Sequence, residues 1–189
     1  MKKTIKFALL IVLCSVAFAC NNGKKTGNGN NEGNDSLNTN GNDSTIYATC
    51  VEAAMSSIVA LNEAGDTLKF VLETPDTIAD VQGGVFPGDK LAIVATKTTD
   101  GLFAQKVINL TSLLGKWTSI DKNFDIKEGG IVESHVEAET KPYTSWKIYN
   151  GNLILSQDTF SFLTLGPDSL LLENSKGIFA YKRQEGAKK

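Results

Sequence analysis

The amino-acid sequence predicts an all-β protein whose folded part holds two small barrel-like domains. Three observations carry that reading. No segment after residue 44 sustains the 3.6-residue apolar repeat of an amphipathic helix. Short alternating runs of β-branched and aromatic residues recur instead, each closed by Gly, Asn, Asp or Pro. Asn150-Gly151, set between two apolar runs, is the strongest hairpin signal in the chain, because the matching two-residue turn needs positive φ at both positions.

The first set of strands runs Ile46–Ala53, Ser57–Leu61, Asp66–Leu72, Lys90–Thr96 and Phe103–Leu110. Asn62-Glu63-Ala64-Gly65 turns the second into the third, and Thr99-Asp100-Gly101 turns the fourth into the fifth. Between the third and fourth lies a longer connection, Thr74–Gly88, with Pro75, an expected short helix around Thr77–Gln82, and Gly83-Gly84. Five strands with the long crossing after the third is the order of an OB-like Greek-key barrel. Gly88-Asp89-Lys90-Leu91 resembles the turn that opens the fourth strand of many such barrels.

The second set follows Leu113-Leu114-Gly115-Lys116-Trp117. Its strands read Trp117–Ile120, Phe124–Lys127, Ile131–Val136, Tyr143–Tyr149, Leu153–Ser156, Thr159–Leu165, Ser169–Glu173 and Gly177–Arg183. Tight turns join each to the next, which makes an up-and-down meander that must close or bend to protect its edges. Gly115-x-Trp117 at its head resembles the lipocalin G-x-W. Tyr143-x-x-Trp146, Asn150-Gly151 and the terminal Phe179-Ala180-Tyr181-Lys182-Arg183 are similar to the short lipocalin-like domain of secreted bacterial lipoproteins, over about residues 112–184. The resemblance implies that Trp117 plugs the closed end of the barrel and that Arg183 covers it. Strands of 4–7 residues depart from the longer lipocalin pattern and imply a squat barrel with little room for a calyx.

Alternation places Trp146 and Ile148 on one face of their strand, and Tyr143, Lys147 and Tyr149 on the other. Trp146, Phe160, Phe162, Phe179 and Tyr181 are the candidate walls of a pocket for a small hydrophobic ligand. The same residues read first as plain core, since so small a domain needs its large apolar side chains to fold.

The N-terminus carries an address. Lys2, Lys3 and Lys6 precede an apolar run, Phe7–Ala19, followed by Cys20. That order is a secretory signal of residues 1–19, and 13 residues fall short of the roughly 20 needed to span a bilayer. Ala17-Phe18-Ala19-Cys20 resembles a lipobox, which implies an acylated Cys20 and anchorage in the membrane. With Asn21 rather than Asp next in line, the outer membrane of the cell envelope is the expected location. Residues 20–44 are rich in Asn, Gly, Ser, Asp and Thr, a composition too poor in apolar surface to fold. As a tether they reach roughly 25–30 Å. The expected organisation is therefore signal 1–19, tether 20–44, OB-like barrel 45–111 and lipocalin-like barrel 112–189.

Removal of the signal leaves 16 Lys+Arg against 21 Asp+Glu, a net charge of −5. Without a basic footprint, nucleic acid is excluded as a partner. Cys50 is the only cysteine outside the signal and anchor, so no intrachain disulfide forms. A single histidine, His135, in a polar stretch rules out sites needing two imidazoles. Glu133, Glu137 and Glu139 are cation-capable but lack the Asp-x-Asp-x-Asp spacing of a calcium loop. The expected protein is no enzyme, uses no cofactor or metal, and is a lipid-anchored envelope protein. It binds either a small hydrophobic ligand or, with a fully packed barrel, an envelope protein as a non-catalytic scaffold.

Overall fold

The computed structural model describes residues 43–99, 101–136 and 140–184. Cys20 and the tether up to residue 42 lie outside the described residues. The first barrel is built from β1 (Thr45–Ala53), β2 (Ser57–Asn62), β3 (Thr67–Val71), β7 (Lys90–Thr98) and β8 (Gly101–Asn109). Antiparallel pairs join β1 to β2, β2 to β3, β1 to β7 and β7 to β8. A parallel pair between Phe70-Val71 and Leu102-Phe103 closes the ring. The resulting order, β1-β2-β3-β8-β7, is the OB-like order that the long crossing anticipates. Ile58, Ala60, Phe70, Leu91 and Ile93 fill it, each at an inward position of the strand alternation.

The crossing itself differs from the expected helix. Between β3 and β7 the chain forms β4 (Glu73–Thr74), β5 (Thr77–Ile78) and β6 (Asp80–Gln82). β4 and β5 make a small hairpin around Pro75-Asp76. β6 pairs in parallel with Lys106–Ile108 of β8, on the edge that β3 leaves uncovered. A helix of six residues satisfies almost none of its own backbone groups, whereas an open strand edge satisfies them at once.

A one-turn helix, α1 (Leu110–Leu113), links the barrels. Its cap, Asn109, is fully buried. Asn109 Oδ1 accepts from the Ser112 N–H at 3.0 Å, and its Nδ2 donates to Asp89 Oδ2 at 2.7 Å and to the Gly84 carbonyl at 3.0 Å. The expected Gly88-Asp89 turn is thereby pinned to the start of the second barrel.

That second barrel contains β9 (Gly115–Thr118), β10 (Asn123–Lys127), β11 (Ile131–Ser134) and β12 (Trp146–Tyr149). It continues through β13 (Asn152–Leu155), β14 (Asp158–Leu165), β15 (Ser169–Asn174) and β16 (Gly177–Arg183). Every pair is antiparallel, and β16 returns to β9. A single bridge, Ile131 to Ser145, together with the Val132 N–H on the Thr144 carbonyl, nearly closes the remaining edge between β11 and β12. The Asn150-Gly151 turn has φ of 47° and 76°, as its hairpin requires.

Both barrels belong to one compact unit. β7 and β8 serve two cores: Leu91 and Ile93 face the first, while Ala92 and Ile108 face the second. The end of the second barrel that carries its 128–130, 150–151 and 166–168 turns rests on the first. There the Tyr47 hydroxyl donates to the Ile148 carbonyl at 2.9 Å, the Leu165 N–H donates to Gln82 Oε1 at 2.9 Å, and Lys90 pairs with Glu128 at 2.8 Å. Asp43 and Ser44, the last two residues assigned to the tether, are fastened to the Asn150 turn, with the Ser44 N–H on Asn150 Oδ1 at 2.8 Å.

Candidate functional site

Trp117 lies wholly buried at the foot of the second barrel, its indole Nε1 donating to the Leu113 carbonyl at 2.9 Å. The Arg183 guanidinium stacks 4.2 Å from its ring centroid. The same guanidinium donates to the Leu114 carbonyl at 2.8 Å and to the Ser112 and Pro167 carbonyls. Gly115 makes this possible: a Cβ there would stand 2.7 Å from Arg183 Nη1, and its φ is +122°. Burial pulls the Arg183 pKa below its usual value, and Asp168 offsets part of that shift.

Just above this clamp the barrel wall opens. β9 has four residues and β16 seven, and they pair only through Lys182 with Thr118 and Arg183 with Trp117. Beyond Thr118 the chain turns away, closed by the Ser119 N–H on the Lys122 carbonyl at 2.7 Å. Residues 178–181 of β16 therefore lack a strand partner on that side among the described residues. A groove of about 640 Å³ occupies the gap. Ile120, Leu171, Ile178 and Ala180 form its apolar wall, Phe179 and Tyr181 its inner face, and Ser119, Asp121 and Lys182 its rim. Ile120 is fully exposed and Ile178 is 62% exposed, so the wall offers apolar surface to solvent on a face where alternation normally places polar groups.

The five expected pocket residues divide between two fates. Phe179 and Tyr181 reach the groove. Phe160 and Phe162 are core, 1% and 4% exposed. Trp146 packs against that core and donates its indole N–H to the Lys127 carbonyl at 2.6 Å, sealing the β11–β12 edge. Tyr143 is a correction to the alternation: it lies inside, edge-to-face with Phe124 at 5.5 Å and with Phe160 at 6.4 Å. The strand begins only at Trp146, so its parity does not extend back to residue 143. Phe160 continues edge-to-face to Phe179 at 5.5 Å, and this chain of rings fills the space where a longer barrel would hold a calyx.

Tyr181 is 2% exposed and stands edge-to-face with Phe124 at 5.1 Å. Its hydroxyl is buried beside that of Tyr143, with which it interacts. Burial pushes its pKa well up, the neighbouring Tyr143 adds to the shift, and Asp121 and Asp158 add less. Sequence reasoning named Tyr181 but missed the outer wall. The only available signal was Ile178 and Ile120 standing where polar residues are expected.

Two other features are weaker. A smaller groove of about 320 Å³ at the β1–β2 hairpin, between Val51, Ala54 and Pro87, holds no aromatic side chain. Asp125, Glu133 and His135 gather on the outer face of the β10–β11 hairpin with ligand atoms within 4.8 Å of one another. Lys127 ion-pairs with Glu133 and holds its carboxyl below the usual range, and Lys116 stands directly across from Asp125. Lys127 of the hairpin and Lys116 of the adjoining β9 thus balance the cluster's negative charge. Glu137 and Glu139 lie outside the described residues.

The geometry defines an all-β protein with a closed five-stranded barrel followed by a nearly closed, lipocalin-like eight-stranded one. Residues 109–184 match the family model described as Lipocalin-like. No curated protein and no solved structure matches the chain.

Proposed function

We propose that this protein is a non-catalytic, lipid-tethered cell-envelope protein that binds a small hydrophobic ligand in the groove beside β16. The groove carries the reading: a largely apolar channel of about 640 Å³ at an unpaired stretch of barrel wall, with two interior aromatic residues facing it. The lipocalin-like match supports a fold that binds such ligands. The first barrel occludes the opposite end, so the groove is the natural way in. The signal of residues 1–19 followed by Cys20 supports acylation, and Asn21 after it supports the outer membrane. Mass spectrometry of protein isolated from its own envelope tests both parts. A diacylglyceryl mass on Cys20 is expected, with an apolar small molecule retained by the wild type and lost from Ala180→Trp, which fills the groove. An unacylated chain overturns the anchor; no retained molecule, or one that survives Ala180→Trp, overturns the groove.

The packed interior supports a second reading, in which the fused barrels serve as an interaction scaffold. Crosslinked capture of one envelope protein, unaffected by Ala180→Trp, is the result that reading expects.

A further inference from the structure

We propose that the ligand is a single-chain amphiphile with an anionic head, such as a carboxylate, and that Lys182 holds that head at the outer surface of the barrel, with Thr118 and Ser169 beside it. This rests on the groove reading above and goes further by assigning the head-group chemistry and the residues that recognise it.

Strand parity and register lay the groove out along its length. Ile178, Ala180 and Lys182 share the outer face of β16. Across from them on β15 stand Glu173, Leu171 and Ser169, in that order. On the other side, Thr118 of β9 pairs with Lys182. Polar and apolar groups are thereby separated by position. The end where β9 still meets β16 carries Lys182 between Ser169 and Thr118. Beyond it, Ala180, Leu171, Ile178 and the overhanging Ile120 supply the apolar surface. Four residues of strand from Lys182 to Ile178 span about 13 Å, the reach of a medium-length alkyl chain.

Charge sets the direction of the occupant. Lys182 is exposed and pairs with no carboxylate among the described residues, whereas Lys90, Lys106, Lys127 and Lys176 each hold an acid. The acids of the groove stand at its far end. Glu173 lies directly across from Ile178. Asp121 sits in the turn at the barrel mouth, near Tyr181 and Lys122, and accepts from Ser119 Oγ at 3.1 Å. A carboxylate at Lys182 gains a charge-assisted hydrogen bond and stays at the solvent edge, so it avoids the penalty of a buried charge. Its chain then covers Leu171, Ile178 and Ile120, withdrawing exposed apolar area from water. A cationic head drawn to Glu173 would instead lay its tail against Lys182 and two hydroxyl-bearing residues.

Competition for a neutral fluorophore, N-phenyl-1-naphthylamine, tests this on the chain from Asn21 onward, which contains the whole compact unit. The competitors are decanoate, decan-1-ol and decyltrimethylammonium at neutral pH, each below its micelle concentration. Decanoate is expected to compete best, with an advantage that narrows as salt is raised. Lys182→Gln is expected to weaken decanoate by about fivefold, the upper end for one exposed ion pair, while leaving decan-1-ol and the melting temperature unchanged. Lys182→Glu is expected to rank decyltrimethylammonium above decanoate, and Ala180→Trp to weaken all three. Decan-1-ol or decyltrimethylammonium competing as well as decanoate, or decanoate unmoved by Lys182→Gln, overturns the head-group assignment and leaves the groove standing. Failure of the fluorophore or of all three competitors to bind the wild type overturns the groove itself, and the head-group assignment with it.

Discussion

Replacing Arg183 with alanine removes the clamp that holds the last strand to the first. The guanidinium stacks on Trp117 at 4.2 Å and donates to three carbonyls, those of Ser112, Leu114 and Pro167. A partly desolvated cation–π contact contributes about 0.5–2 kcal/mol, and a hydrogen bond from a charged donor about 1.5–3 kcal/mol. The side chain is only half buried, so water reaches some of the freed carbonyls and the separate values do not add. A total loss of about 2–4 kcal/mol follows. Arg183→Lys keeps the charge but not the planar fork, and should lose about half as much. Urea unfolding monitored by Trp fluorescence reads the change as a lower midpoint at constant slope. With the β9–β16 seam reduced to two register pairs, amide exchange in β16 should also accelerate ahead of global unfolding. A loss below about 1 kcal/mol for alanine, or equal losses for alanine and lysine, refutes the clamp.

Two further outcomes follow from the same geometry. Gly115→Ala places a Cβ 2.7 Å from Arg183 Nη1 at a φ of +122°, and should cost about 1–3 kcal/mol in a thermal melt. In the Arg183→Ala background the clash is gone while the backbone strain stays, so the second substitution should cost less than in the wild type. Burial raises the pKa values of Tyr47, Tyr143 and Tyr181 in the folded state. Folding thus retains protons that the unfolded chain releases above about pH 10. The tyrosines' contribution to stability should be level below that pH and fall as pH rises beyond it, with phenolate absorbance appearing together with loss of the near-UV circular dichroism signal.

The features legible in the sequence are those with local causes. Asn150-Gly151 dictates its own turn, and Gly177–Arg183 emerges as β16 with the expected bounds because a glycine turn and alternating residues delimit it. What escaped depends on partners distant in the chain. Residues 77–82 become strand because β8 offers an open edge, which nothing within that segment reveals. A bulge between Phe162 and Thr164 shifts the parity of β14, so that Phe160, Phe162 and Leu165 all face inward. Tyr143 enters the core because its strand starts three residues later than the alternation suggests.

The site divides in the same way. Periodicity, turn chemistry and the Gly115-x-Trp117 and Arg183 pattern were enough to place two barrels and to name Tyr181 and Phe179 as candidates. Whether an aromatic residue is filler or wall is settled by closure, and closure is a property of strands from opposite ends of a domain. Because β9 is three residues shorter than the β16 it must meet, the ring of hydrogen bonds runs out above Thr118. That length mismatch, visible only when the two strands lie side by side, opens the groove.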